Sequence, residues 1–212
     1  MKGSLTRGLL VALALVFAVL GMVMGWRTWQ SVQTDALTLP HRMAIQRWAD
    51  GQEACAPAQW EQARADLQQA VTISPQDPTV HDLLGALYAV RGNQVWWQEE
   101  ERRRWYEQAR QAHLRSAALR PTVPGVWFNL ALDTYATDRP RHEVVTHWRR
   151  ALAAGPHEPS TRWGLVGLAL AMWADAPPDM RRWVVAQQES PVAPDRERLL
   201  GIAEHYGVAL GH

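Results

Sequence analysis

The run His142, Glu143 and His147 comes nearest to a catalytic motif. A zinc-binding helix sets two imidazoles four residues apart on one face, with a glutamate between them as base. Here the imidazoles are five apart, so a helix turns one away from the other. Glu143 and His147 do share a face, as pairs on solvated helices often do. His41, His81, His113, His157, His205 and His212 form no ligand pair in sequence; His81 and His113 fall at packing positions of a repeat described below. The chain carries no glycine-rich phosphate loop, no G-x-S-x-G elbow and no C-x-x-C pair. Its one cysteine, Cys55, excludes an intramolecular disulfide and a cysteine-rich zinc site. Carboxylates for glycoside cleavage can converge in any fold, but no spacing here selects a pair. The expectation is a protein that is not an enzyme, with no catalytic residue, cofactor or metal.

Binding chemistry is better represented. In Glu99–Arg104, Glu99 pairs with Arg103 and Glu100 with Arg104 at i,i+4, each worth about 0.3–0.5 kcal/mol on an exposed helix. Trp96, Trp97, Trp105 and Tyr106 flank the run. Large aromatics beside charges serve either as core or as anchors for a partner. Residues 91–120 hold seven Arg and four Glu, and residues 139–150 four Arg and one Glu. That local excess suits an acidic protein surface, lipid headgroups or an anionic glycan if it lies on one face, and nothing if it is scattered. Overall charge is near neutral, with 22 Lys+Arg against 21 Asp+Glu, so no global field recruits nucleic acid. Apolar residues at 47% and charged residues at 20% describe a globular chain. Twelve tryptophans, and a single lysine at Lys2, give an arginine- and alanine-rich composition of the kind GC-rich bacterial genomes encode.

These residues sit on helices, not strands. A helical pattern recurs with small-residue and proline markers. Trp60, Ala63, Leu67 and Ala70 lead to Pro75; Val80, Leu84, Gly85 and Tyr88 lead to Ala109, Ala117 and Pro121; Trp127, Leu130 and Ala131 lead to Trp148, Ala151 and Pro156; Trp163, Val166 and Gly167 follow. The series resembles tetratricopeptide repeats, W-x-x-L-G-x-x-Y…A-x-x-x-F-x-x-A…P. The small residues Gly85, Ala131 and Gly167 are expected to let the first helix of each pair approach the second, with large residues filling the rest. Gly85 and Pro121 are 36 residues apart, where the repeat needs about 24. About three extra helical turns therefore lie around Asn93–Tyr106, and this insertion is the expected partner surface.

Leu9–Gly25 is uncharged and, with Trp26, long enough for about 27 Å of helix. Trp26 and Trp29 stand where aromatic anchors belong, and Lys2 and Arg7 precede the span. The positive-inside rule then puts the N-terminus in the cytoplasm and the rest outside. A cleaved signal peptide is the rival reading, with Val23–Gly25 a weak cleavage site lacking A-x-A. The expected organisation is a transmembrane anchor over 1–27, a tether over 28–39 and a periplasmic tetratricopeptide-like domain over 40–212. Expected helices are 8–27, 40–50, 58–73, 78–91, 94–119, 123–136, 141–154, 158–174, 178–188 and 195–208.

The C-terminal half carries a narrower likeness. Arg120–Leu132, Trp148–Pro159, Met172-Trp173, Met180–Arg182 and Ile202–Gly207 resemble the VpsP-type family, small membrane-anchored repeat proteins encoded with bacterial exopolysaccharide loci. The resemblance implies a process, polysaccharide production and export, and no catalytic residues. The predicted fold is all-α: a transmembrane helix followed by an α-solenoid of about three and a half antiparallel hairpins. Such arrays bind extended peptides or partner helices on a concave face built from the first helices. Candidate partner-binding residues are His81, Tyr88, Trp127, Asn129, Asp133 and Arg162 there, beside Trp96, Trp97, Arg103, Trp105 and Tyr106 in the insertion; Trp127 and Trp163 also fit packing positions. The expected function is a scaffold for envelope protein partners of polysaccharide synthesis or export. The alternatives are an assembly chaperone for cytochrome maturation or pili, and a glycan-binding module.

Overall fold

The computed structural model describes residues 2–156, 158–189 and 192–210, with side chains from Leu13 onward other than that of Ala193. Among the described residues it is all-α. The helices are α1 (Lys2–Ala49), α2 (Pro57–Ile73), α3 (Pro78–Gln94), α4 (Glu99–Leu119), α5 (Pro124–Ala136), α6 (Arg141–Ala154), α7 (Pro159–Ala171), α8 (Pro178–Ala186) and α9 (Ala193–His205). Prolines punctuate both ends. Pro57, Pro78, Pro124, Pro159 and Pro178 each open a helix, where their missing N–H is an orphan in any case. Pro75, Pro121 and Pro156 follow the ends of α2, α4 and α6 by two residues and stop them. Asp77 adds an N-cap to α3 by accepting the Thr79 N–H at 2.8 Å.

The helices stack as successive hairpins, α3 on α4, α5 on α6 and α7 on α8, with α9 against α7. One core cluster gathers Ile45, Trp48, Trp60, Leu67, Leu87 and Ala109. Another runs from Leu130, Trp148 and Leu165 to Met180, Val184 and Leu199. Indole N–H groups stitch hairpin to hairpin: Trp60 donates to the Leu87 carbonyl at 3.1 Å and Trp148 to that of Leu165 at 3.0 Å.

The anchor, tether and first array helix expected over 8–27, 28–39 and 40–50 form one helix. Nothing interrupts α1 between Lys2 and Ala49, even at Pro40. Proline in a helix interior costs about 3 kcal/mol, and two features offset it. Thr34, Thr38, Ile45 and Trp48 form a buried stripe at helical spacing, packed on α2 and α3. The break falls on the exposed side, at Leu39 and Pro40. The C-terminal half of α1 thus supplies the first helix of the first hairpin, and the array holds, among the described residues, four hairpins and a capping helix. Toward the N-terminus α1 is exposed from Leu13 to Trp29 and uncharged as far as Trp26, and the helix is long and apolar enough to cross a membrane.

The three extra turns extend α3 and α4 beyond their neighbours. Tyr106 lies against Gly92, where an added Cβ would come within 2.8 Å of its ring. Gly85 behaves as expected: a Cβ there would meet His113 Nε2 at 2.5 Å. Gly167 does not, since its surroundings are open. The close approach on α7 is made by Gly164, which presses on the Phe128 ring of α5, so the contact joins two first helices and not the two helices of one pair.

These environments separate two glycine substitutions. Gly85→Ala is expected to destabilise by about 1–3 kcal/mol through overpacking. Gly167→Ala is expected to stabilise by up to about 1 kcal/mol, because the methyl meets nothing and helix propensity improves. Thermal melts followed by circular dichroism check both signs.

Candidate partner-binding groove

A groove of about 590 Å³ opens where α3, α4 and α5 meet, at the end of the array farthest from Lys2. Ala86, Ala89, Val90, Leu132 and Ala136 give it an apolar floor. Asn93, Arg102, Tyr106, Asn129 and Arg141 supply polar walls, and Trp96 stands on the rim. The extended ends of α3 and α4 build one wall, so the insertion creates this depth.

Below the floor lies a buried ionic pair. His113 of α4 and Asp133 of α5 are 1% and 2% exposed, with Nδ1 and Oδ2 2.5 Å apart. Asp82 of α3 stands 3.7 Å from the other imidazole nitrogen. His113 occupies the place of phenylalanine in the repeat pattern, so a charge-bearing ring fills the hole left by Gly85. Burial works against charge on this ring, but the Asp133 and Asp82 carboxylates outweigh it and hold the imidazole above its ordinary 6.5. Burial pushes the Asp133 carboxyl up from its ordinary 3.8, offset only in part by His113 and Arg110. Burial and Asp133 push the Tyr106 phenol up to about 12, with Arg102 opposing; its hydroxyl donates to Asn93 Oδ1 at 2.5 Å. Beside them Arg110 donates two hydrogen bonds to Glu107, which hold that carboxyl down at about 2.

The candidate residues divide cleanly. Trp96, Tyr106, Asn129 and Asp133 meet in the groove, and of these Asp133 is committed to His113. Trp96 and Trp97 are 72% and 64% exposed and pack edge to face, centroids 6.0 Å apart. Trp105 packs into the core against Trp60 and Tyr88. Tyr88 is buried and its hydroxyl accepts from Gln68; His81 is buried with Nε2 2.9 Å from the Pro75 carbonyl. Trp127 is buried, donates to the Pro121 carbonyl, and packs against the Arg150 guanidinium and the His147 ring. Arg103 bridges Glu99 and Asp138. Arg162 ties α7 to Gln187 and Asp195 while covering Trp163. Of these seven, the six other than Trp97 hold the fold together.

Asn93 and Arg102, from the insertion expected to be the partner surface, complete the groove with Arg141 and His113, which were not anticipated there. Repeat register alone could have placed His113, since its position faces the neighbouring hairpin. His147 stacks on Trp127 and does not converge with His142 and Glu143; among the described residues no three His, Cys, Asp or Glu side chains gather as metal ligands. His157 and His212 lie outside the described residues.

The His113–Asp133 pair has a testable pH signature. A group whose folded pKa is raised contributes stability that is complete below its unfolded value, 6.5 for histidine, and is lost as pH rises through the folded value. Glu107 has the opposite sense: its contribution is present above 4.5 and is lost as pH falls toward about 2. Urea unfolding in detergent is expected to show stability declining above pH 6.5. His113→Phe alone strands a buried carboxylate and is expected to cost about 3–5 kcal/mol. Adding Asp133→Leu should recover most of that loss and abolish the decline.

No family profile matches this chain, and no curated protein matches it. Nine chains of solved structures do. One is a mutant O-GlcNAc transferase of Thermobaculum terrenum, with a TM-score of 0.56 at 19% identity over 78% of this chain. The match spans 27% of the transferase chain. The likeness is one of fold: the chain is a tetratricopeptide-like array of helical hairpins behind one long apolar N-terminal helix.

Proposed function

We propose that the protein is a single-pass inner-membrane scaffold of bacterial exopolysaccharide synthesis or export, binding a protein partner through the α3–α4–α5 groove and performing no catalysis. One observation carries the binding reading. Asn129 presents a side-chain amide with no hydrogen-bond partner among the described residues, and Arg102 Nε is likewise unpartnered, in an apolar groove rimmed by Trp96. Amides satisfy the backbone of an extended segment, a guanidinium takes a carboxylate, and an exposed indole provides contact area at small entropic cost. Membrane placement is supported by the exposed apolar run of α1. Cytoplasmic placement of the N-terminus, and a periplasmic domain beyond the span, are supported by Lys2 and Arg7 ahead of it. The polysaccharide assignment is supported by the likeness to VpsP-type proteins over Arg120–Leu132 and Trp148–Pro159.

A photo-cross-linking residue placed at Trp96 or Asn129 in cells tests this directly. The expected adducts are with a polysaccharide polymerase, exporter or chain-length protein, and a deletion strain should lose polymer. Adducts with cytochrome-maturation or pilus proteins, or no adduct together with normal polymer yield, would overturn the assignment.

A further inference from the structure

A second cavity has no part in the groove. It is a crevice of about 680 Å³ between the exposed end of α1 and the loop joining α2 to α3. On α1 its wall runs from Met22 and Val23 through Trp26 and Arg27 to Gln30, about 12 Å at about 1.5 Å per residue. The loop supplies Ser74, Gln76 and Asp77 opposite. At the top it is sealed: Gln30 donates to the Ile73 carbonyl at 3.3 Å, and Thr34 and Ser74 hydroxyls are 2.7 Å apart. The loop itself is braced, with the Pro75 carbonyl 2.9 Å from His81 Nε2 and Asp77 capping α3. The lower mouth opens onto the apolar run of α1.

The wall therefore changes from apolar to polar at the level where the exposed run ends. The stripe that α1 buries in the array at Thr34, Thr38 and Ile45 continues downward through Arg27 and Val23, where, among the described residues, only the α2–α3 loop stands opposite, across the crevice. Two opposite charges face the space. Arg27 and Asp77 both line it, yet neither makes an ion pair with the other or with any described residue. Charges of both signs across one crevice, neither in an ion pair with a described residue, fit a ligand that carries both signs. An apolar mouth fits a ligand that continues as hydrocarbon.

We propose that this crevice holds the headgroup of a phospholipid bearing a phosphate and a primary ammonium, the phosphate on Arg27 and the ammonium on Asp77, with Val23 and Trp26 against the start of the acyl chains. The proposal rests on α1 spanning a bilayer. Because the loop is braced and α1 is continuous, a lipid here would fix the height of the array above the membrane as well as fill a gap beneath it.

Native mass spectrometry of the full chain in detergent, with an equal mixture of dihexanoyl lipids carrying ethanolamine, glycerol or choline headgroups, tests it. The ethanolamine lipid is expected to be retained preferentially. Arg27→Gln should cut its retention about tenfold, the worth of one charge-assisted hydrogen bond. Asp77→Asn, which still caps α3, should do the same and erase the preference over choline. Arg104→Gln, 74% exposed at the far end of the array, should change nothing. Equal retention of the three lipids, preference for the glycerol lipid, or insensitivity to both crevice substitutions would overturn the proposal. Carbonate extraction of cell membranes separates the two readings: a chain washed off fails the span, whereas a chain that stays but shows no headgroup preference fails only the crevice.

Discussion

The inner face of α2 carries Trp60, Ala63, Leu67 and Ala70, all buried. A helix with such a face cannot end a stack, because repeat arrays bury their core only between neighbours. What covers it is the C-terminal half of α1, through Ile45 and Trp48. That requirement makes one rod of two functions. The segment that seals the array is continuous with the segment that is apolar and exposed, so the array cannot swing on a loose linker. Thr28 and Ser31 hydroxyls bond back to carbonyls four residues earlier and satisfy extra backbone acceptors at the junction.

Rigidity at one end is matched by ionic ties at the other. The α3–α4 extension would be a free-standing hairpin were it not joined to the next repeat. Arg103 reaches Asp138 at 2.7 Å, Arg139 reaches Glu107 at 3.4 Å, and His113 locks onto Asp133 below. The exposed pairs are individually weak. The buried pair is different: either partner left alone would be a desolvated charge, so it favours the register in which α4 and α5 face each other. The groove is the space above that register.

The sequence made much of this legible and hid the rest for physical reasons. Paired prolines and small residues at fixed offsets specify hairpins locally, so α2 through α8 were predictable within a few residues. The continuity of α1 was not. Pro40 and the polar residues around Asp35 look like a linker, and only burial of Thr34, Thr38, Ile45 and Trp48 against helices far along the chain overrides that reading. The extra turns were visible as a wrong repeat length, but not which aromatics they expose. Trp105 and Tyr88 stack on each other and cluster with Trp60 while Trp96 and Trp97 stand in solvent; composition treats all five alike. His113 and Asp133 lie 20 residues apart on different hairpins, a pairing no local pattern announces.

The direction of the helices decides what each cavity can meet. With the apolar part of α1 in a bilayer, odd-numbered helices through α7 run away from the membrane and even-numbered ones return, so loops alternate between near and far ends. The α2–α3 loop is near, beside Trp26 and Arg27; the α3–α4 tip with Trp96 is far, level with Ala49. About twenty residues of α1 separate these levels, or about 30 Å. A partner's membrane-embedded helix cannot reach a groove at that height, whereas a segment of its extramembrane domain can. The crevice is confined by the same geometry to the headgroup layer. One continuous helix thus assigns the two cavities to different chemical worlds, and neither could exchange its occupant with the other unless α1 bent.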